Sequence, residues 1–141
     1  QERAGVDVAP GAMYMSSKGN GSFLGTLRVD FPTAKSGWTM SGRGGMGSDS
    51  SGRFSWLVQA QRTKRIAEAS RFGLQLSSYA PTETAASGTA DYTPNAGIVF
   101  HQGIGPVDLD LSAGAGPRLT GSGHPVFGYV VGGGLSLRLF R

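Results

Sequence analysis

The run Pro106-Val107-Asp108-Leu109-Asp110-Leu111-Ser112-Ala113, "PVDLDLSA", decides how this chain is read. Two aspartates stand two residues apart, each between aliphatics, in a chain with nine acidic residues. They could be a catalytic carboxylate pair. In an extended strand, however, successive side chains point to opposite faces. Val107, Leu109 and Leu111 then form one stripe, and Asp108 and Asp110 belong to the other.

The same alternation recurs from end to end, and only Lys64–Ser70 has a pattern that could make a turn or two of helix. Eight strands are predicted, over Gly5–Ser16, Ser22–Phe31, Trp38–Gly47, Arg53–Gln61, Ser70–Ser78, Ala96–Gln102, Val107–Ala115 and Val126–Phe140. Turn clusters separate them at Lys18–Gly21, Thr33–Gly37, Asp49–Gly52, Gly103–Pro106 and Thr120–Pro125. Tyr79–Asn95, rich in Thr, Ala and Pro, is the one long connection. No domain boundary or linker interrupts residues 1–141, so the chain reads as a single all-β domain, an eight-stranded antiparallel up-and-down sheet. Most strands are near the ~9–11 residues that cross a bilayer when tilted.

Composition points the same way. Charged residues make up 16% of the chain, less than a small soluble surface normally carries. Glycine supplies 24 of the 141 residues, with no Gly-x-y repeat. The net charge is +4, but the cations are scattered apart from Arg62-Thr63-Lys64-Arg65, which gives no basic stripe for nucleic acid. The absence of cysteine excludes disulfides and thiolate metal sites. No apolar run reaches the ~20 residues of a membrane helix. The chain begins at Gln1 rather than Met, as expected of the mature form of an exported precursor.

Each strand has one apolar face and one of small or polar residues. Phe23, Gly25, Leu27, Val29 and Phe31 oppose Thr26, Arg28 and Asp30. Phe54, Trp56, Val58 and Ala60 oppose Ser55, Leu57, Gln59 and Gln61, and Phe72, Leu74 and Leu76 oppose Arg71, Gly73, Gln75 and Ser77. In the last strand Phe127, Tyr129, Val131, Leu135 and Leu137 oppose Gly128, Val130, Ser136 and Arg138. A soluble barrel would turn the apolar face inward, and a membrane barrel would turn it outward.

Two patterns favour the outward version. The polar face collects Arg28, Arg43, Arg71 and Arg138 against Asp7, Asp30, Asp108 and Asp110, four of each sign. Such balance suits a narrow lumen, where buried charges must be paired. Phe31, Trp38, Phe72, Phe100 and Phe140 fall at one rim, and Phe23, Phe54, Trp56, Phe127 and Tyr129 near the other, with aliphatics between. Aromatic girdles around an aliphatic band are what two bilayer interfaces select.

With these faces and rims, the sequence resembles the small eight-stranded outer-membrane barrels of Gram-negative bacteria, the OmpA/OmpX-like group. The C-terminal "GGGLSLRLF", Gly132–Phe140, is similar to the amphipathic terminal strand read by barrel-assembly machinery, although Arg141 follows the final aromatic. The resemblance implies an integral outer-membrane barrel with termini and short turns on the periplasmic side. By strand parity the outer loops would be 17–21, 48–52, 79–95 and 116–125. Lys18, Arg53, Arg118 and His124 at that edge could meet the phosphates of lipopolysaccharide, or the loops a partner protein.

With Gly103–Pro106 as a four-residue turn, His101 faces Asp108, Phe100 faces Leu109 and Ile98 faces Leu111. His101, Asp108 and Asp110 then become lumen neighbours, with Arg138 and Asp7 at the same level. A proton-transfer or metal site is one reading, but there is no second nearby His and no Ser forced next to His101. A lumen charge network is favoured, because eight strands leave room inside only for side chains. Ser122 and His124, with Glu83 or Asp91, would be needed for a surface hydrolase acting on lipid A. The glycine-rich 41–48 has no Walker or dinucleotide pattern, and Met13, Met15, Met40 and Met46 read as packing residues. No catalytic residue, metal or cofactor is assigned. The expectation is a non-enzymatic barrel with a plugged, charged interior. The alternatives are a lipid A-modifying hydrolase and a soluble secreted barrel binding a hydrophobic ligand.

Overall fold

The computed structural model describes residues 6–17, 20–32, 37–49, 52, 54–81, 93–118 and 126–138. Eight strands follow one another in chain order: β1 Asp7–Ser17, β2 Asn20–Pro32, β3 Trp38–Asp49, β4 Phe54–Ala67, β5 Ser70–Pro81, β6 Thr93–Ile104, β7 Val107–Arg118 and β8 Val126–Leu137. Each pairs antiparallel with its neighbours, and β1 pairs with β8, so the sheet closes into a barrel with no free edge. Closure is what makes the sequence pattern workable. Every strand can present one stripe inward and one outward, and no backbone ladder is left unpaired. A strand of 12 residues such as β3 rises about 30 Å at ~3.3 Å per residue and a tilt near 40°.

Burial follows strand parity, with polar residues in and apolar residues out. In β4, Ser55, Leu57, Gln59, Gln61 and Thr63 are buried, while Phe54, Val58, Ala60, Arg62 and Lys64 are exposed. In β2, Ser22, Leu24, Thr26, Arg28 and Asp30 are buried, and Phe23, Leu27 and Phe31 are exposed. The buried side of the wall has two levels. Arg28, Arg43, Arg71, Asp30, Asp108, Asp110 and His101 lie toward the end where β1 begins, β8 finishes and the turns 68–69 and 105–106 sit, here called the turn end. Toward the opposite, loop end, Met13, Met15, Leu24, Leu57 and Val130 form an apolar cluster. The glycines of β8 make room for it. A Cβ on Gly132 would meet the Met15 sulfur, and one on Gly134 would meet the Met13 side chain. Met13 and Met15 are therefore packing residues as expected, whereas Met40 and Met46 stand exposed on the outer wall.

Two expectations are corrected. Lys64–Ser70 makes no helical turn: β4 continues through Ala67, with Lys64 opposite Phe72 and Arg65 opposite Arg71, and a bulge between Arg65 and Ala67. A stretch this short cannot nucleate a helix unaided, whereas β5 offers it a ladder of backbone partners. The β6–β7 connection is also tighter than a four-residue turn. Gly105 adopts φ 63°, so Gly105-Pro106 alone reverses the chain and Ile104 pairs with Val107. His101 consequently faces Asp110, Phe100 faces Leu111 and Ile98 faces Ala113. The register slips by two residues, which keeps every side chain on its expected face.

Candidate functional site

Arg28 and Asp30 on β2 share the buried face at i, i+2, as do Asp108 and Asp110 on β7 across the barrel. Closure brings these two pairs together. The Arg28 guanidinium, fully buried, donates from each nitrogen to a different carboxylate: Nε to Asp30 Oδ1 at 3.0 Å, Nη1 to Asp110 Oδ1 at 3.0 Å and Nη2 to Asp108 Oδ2 at 2.7 Å. Asp110 is the other hub. It also accepts from Arg43 Nη2 at 2.8 Å and Ser136 Oγ at 2.5 Å, and His101 Nδ1 lies 2.6 Å from its Oδ1. Arg138 pairs with Asp108, and Arg71 Nη2 lies 3.6 Å from Asp30.

Eight of the nine predicted lumen residues therefore form one connected network: Arg28, Asp30, Arg43, Arg71, His101, Asp108, Asp110 and Arg138. Asp7 does not join these ion pairs. It sits opposite Asp30 and lines, with Asp30, Arg71, His101, Asp108 and Arg138, a cavity of 430 Å³ that opens at the turn end. Asp7 and Asp30 thus stand directly opposite one another, where like charges repel.

The hydrogen-bond partners of the network escaped the sequence reading. Ser41 donates to Asp30 at 2.6 Å, Thr63 accepts from Arg71, and Gln61 lies 2.8 Å from His101 Nε2. From Gln61 a line of amides continues through Gln59 and Gln75 to Asn95. Their one signal was parity: each lies on the same face as the charged residues, and a buried polar face has to satisfy itself.

Chemically, this arrangement compensates charge. Both nitrogens of His101 are engaged, by Asp110 and Gln61, the Asp110 carboxylate accepts from several donors at once, and among the described residues neither His101 nitrogen pairs with a hydroxyl as a nucleophile–base pair would require. Among the described residues no group of three or more His, Asp or Glu side chains could hold a metal ion. Ser122, His124, Glu83 and Asp91 lie outside the described residues, as do Lys18 and Arg53, while Arg118 ends β7.

The predicted aromatic positions fall into two sets on the outer wall. Phe31, Trp38, Phe72 and Phe100 lie toward the turn end, with Phe72 and Phe100 directly paired. Phe23, Phe54, Trp56 and Tyr129 lie toward the loop end. Tyr14, not singled out from sequence, joins the second set by packing edge-on to Phe23 with ring centroids 5.0 Å apart. Phe140 and the side chain of Phe127 lie outside the described residues. Between the two sets the exposed wall is Leu27, Val58, Leu74, Leu76, Ile98, Leu111 and Val131, interrupted by small residues. No protein-family model, curated protein or solved structure matches the chain.

Proposed function

We propose that this chain is an integral outer-membrane β-barrel with a plugged interior, serving a structural or binding role at its outer loops and rim rather than conducting as a pore. The observation that carries the reading is the inverted polarity of the wall. Arg28 and Asp110 are 0% exposed, while Phe23 is 72%, Leu74 67%, Leu76 65% and Met46 63% exposed. Each such apolar side chain left in water forgoes about 1.5–3 kcal/mol of burial free energy, and together they form a belt rather than scattered residues. Hydrocarbon removes that penalty. It also demands a backbone with no unpaired edge, which a closed barrel provides.

The interior suits the same reading. An eight-stranded barrel has space inside for side chains alone. Here the charged network fills one level and the Met13–Leu57 cluster the next. On this reading, as in OmpA/OmpX-like barrels, the start of β1 and the turns 68–69 and 105–106 face the periplasm. The opposite rim then meets lipopolysaccharide or a partner protein. The test is the behaviour of the purified chain. An outer-membrane barrel requires detergent, migrates differently on gels before and after heating, and floats with phospholipid vesicles in a density gradient. A chain that is monodisperse in plain buffer contradicts the reading.

A further inference from the structure

At the turn end of the outer wall, two cations stand on the apolar face. Rows of cross-strand neighbours define the place. Trp38, Lys64, Phe72 and Phe100 lie side by side on β3, β4, β5 and β6. One row toward the middle lie Met40, Arg62, Leu74 and Ile98, and beyond it Gly42, Ala60, Leu76 and Ala96. The small residues of this last row leave a groove of 580 Å³, lined by Met40, Ala60, Arg62, Leu74, Leu76 and Ile98.

Arg62 heads that groove. Its backbone lies one row deeper than the aromatic set, yet its side chain reaches back so that Cζ stacks 4.5 Å from the Trp38 ring centroid. Lys64 Nζ lies 5.6 Å from the same ring. Among the described residues neither cation forms an ion pair with a carboxylate, in contrast to the compensated arginines inside the barrel. A long cationic side chain bent from an apolar wall toward an interfacial Trp is how a charge leaves hydrocarbon for a headgroup.

We propose that this face binds an anionic glycerophospholipid of the leaflet at the turn end, with its phosphate between Arg62 and Lys64 and an acyl chain in the groove. The inference rests on the membrane reading and adds a defined lipid site to it. Arg62 offers a forked guanidinium already held by Trp38, and Lys64 a second positive charge. The choice of an anionic lipid follows from charge complementarity. A zwitterionic headgroup brings its own ammonium, which leaves two cations only partly compensated, whereas a net negative headgroup matches them.

The experiment is tryptophan quenching by brominated lipids. Trp38 and Trp56 are the two tryptophans, at opposite ends of the wall, so a Trp56→Phe chain reports from Trp38 alone. That chain is refolded into vesicles of phosphatidylcholine and phosphatidylglycerol, with one or the other brominated. The site predicts that Trp38 selects phosphatidylglycerol about fivefold or more, and that Arg62→Gln/Lys64→Gln abolishes the selectivity while heat-modifiable mobility shows the barrel still folded. Equal quenching by both lipids in the unaltered site overturns the proposal and leaves the membrane reading standing. Selectivity that persists in the double variant overturns the assignment to these residues. Failure of the chain to enter vesicles at all overturns the membrane reading, and the lipid site with it.

Discussion

Arg28→Met removes a guanidinium that touches three carboxylates at once. Methionine keeps most of the stem, so the perturbation is electrostatic rather than a large cavity. After substitution Asp110 still has Arg43, His101 and Ser136, and Asp108 still has Arg138. Asp30 fares worst, keeping Ser41 and an Arg71 contact at 3.6 Å. Breaking a buried ion pair from one side costs about 3–5 kcal/mol. Because Arg28 is 0% exposed, solvent offers its partners little relief. The expected loss is therefore at least about 3 kcal/mol, or two or more decades in the folding equilibrium. The residual contacts also specify the rescue: Arg28→Met/Asp30→Asn, which neutralises the most isolated carboxylate, should recover more than 1 kcal/mol, within the roughly 0.5–3 kcal/mol range of coupling between contacting residues. The assay is urea titration of the micelle-folded protein, read by tryptophan emission and by the heat-modifiable band. A cost below about 1 kcal/mol for Arg28→Met, with no recovery in the double variant, would refute the idea that the network holds the barrel together.

Three further outcomes follow. Leu27 lies midway between Phe23 and Phe31 on the outer face of β2, so Leu27→Arg should cost about 2–4 kcal/mol in vesicles, against less than about 0.5 kcal/mol if that wall were solvated. A Cβ on Gly97 would run into the Ala113 carbonyl, whereas one on Gly44 meets nothing within 4 Å. Gly97→Ala should therefore lower stability by about 1–3 kcal/mol in the same urea assay while Gly44→Ala leaves it unchanged. In planar bilayers the intact chain should carry no sustained current, and a steady open channel would contradict a plugged interior.

The faces of the strands were legible in the sequence because alternation survives errors of register. A two-residue slip at the β6–β7 turn moved His101 from Asp108 to Asp110 without turning either inside out. The slip itself was not legible, since Gly103–Pro106 can reverse a chain in four residues or two, and the left-handed Gly105 decides between them. Arg62–Ala67 hid its strand character because the run Arg62-Thr63-Lys64-Arg65 interrupts the alternation of apolar and polar residues, although Arg62 and Lys64 continue the exposed face of β4. The apolar level of the interior was also obscured. Leu24, Leu57 and Val130 share parity with polar residues, and only closure shows that Met13 and Met15 meet them there. Which arginine reaches which aspartate depends on the stagger of strands across the barrel. A residue list sets the balance of charges but not their pairing.

The central claim is that the exposed apolar wall faces lipid and the buried charged face does not. Because the chain has no cysteine, single cysteines at outward positions 27, 58, 76 and 98 can each carry a spin label. In phospholipid vesicles these labels should collide readily with dissolved oxygen and poorly with a water-soluble nickel chelate, as expected in a hydrocarbon core. Ready access of the nickel chelate to all four, in a protein that stays monomeric without detergent, would contradict the account.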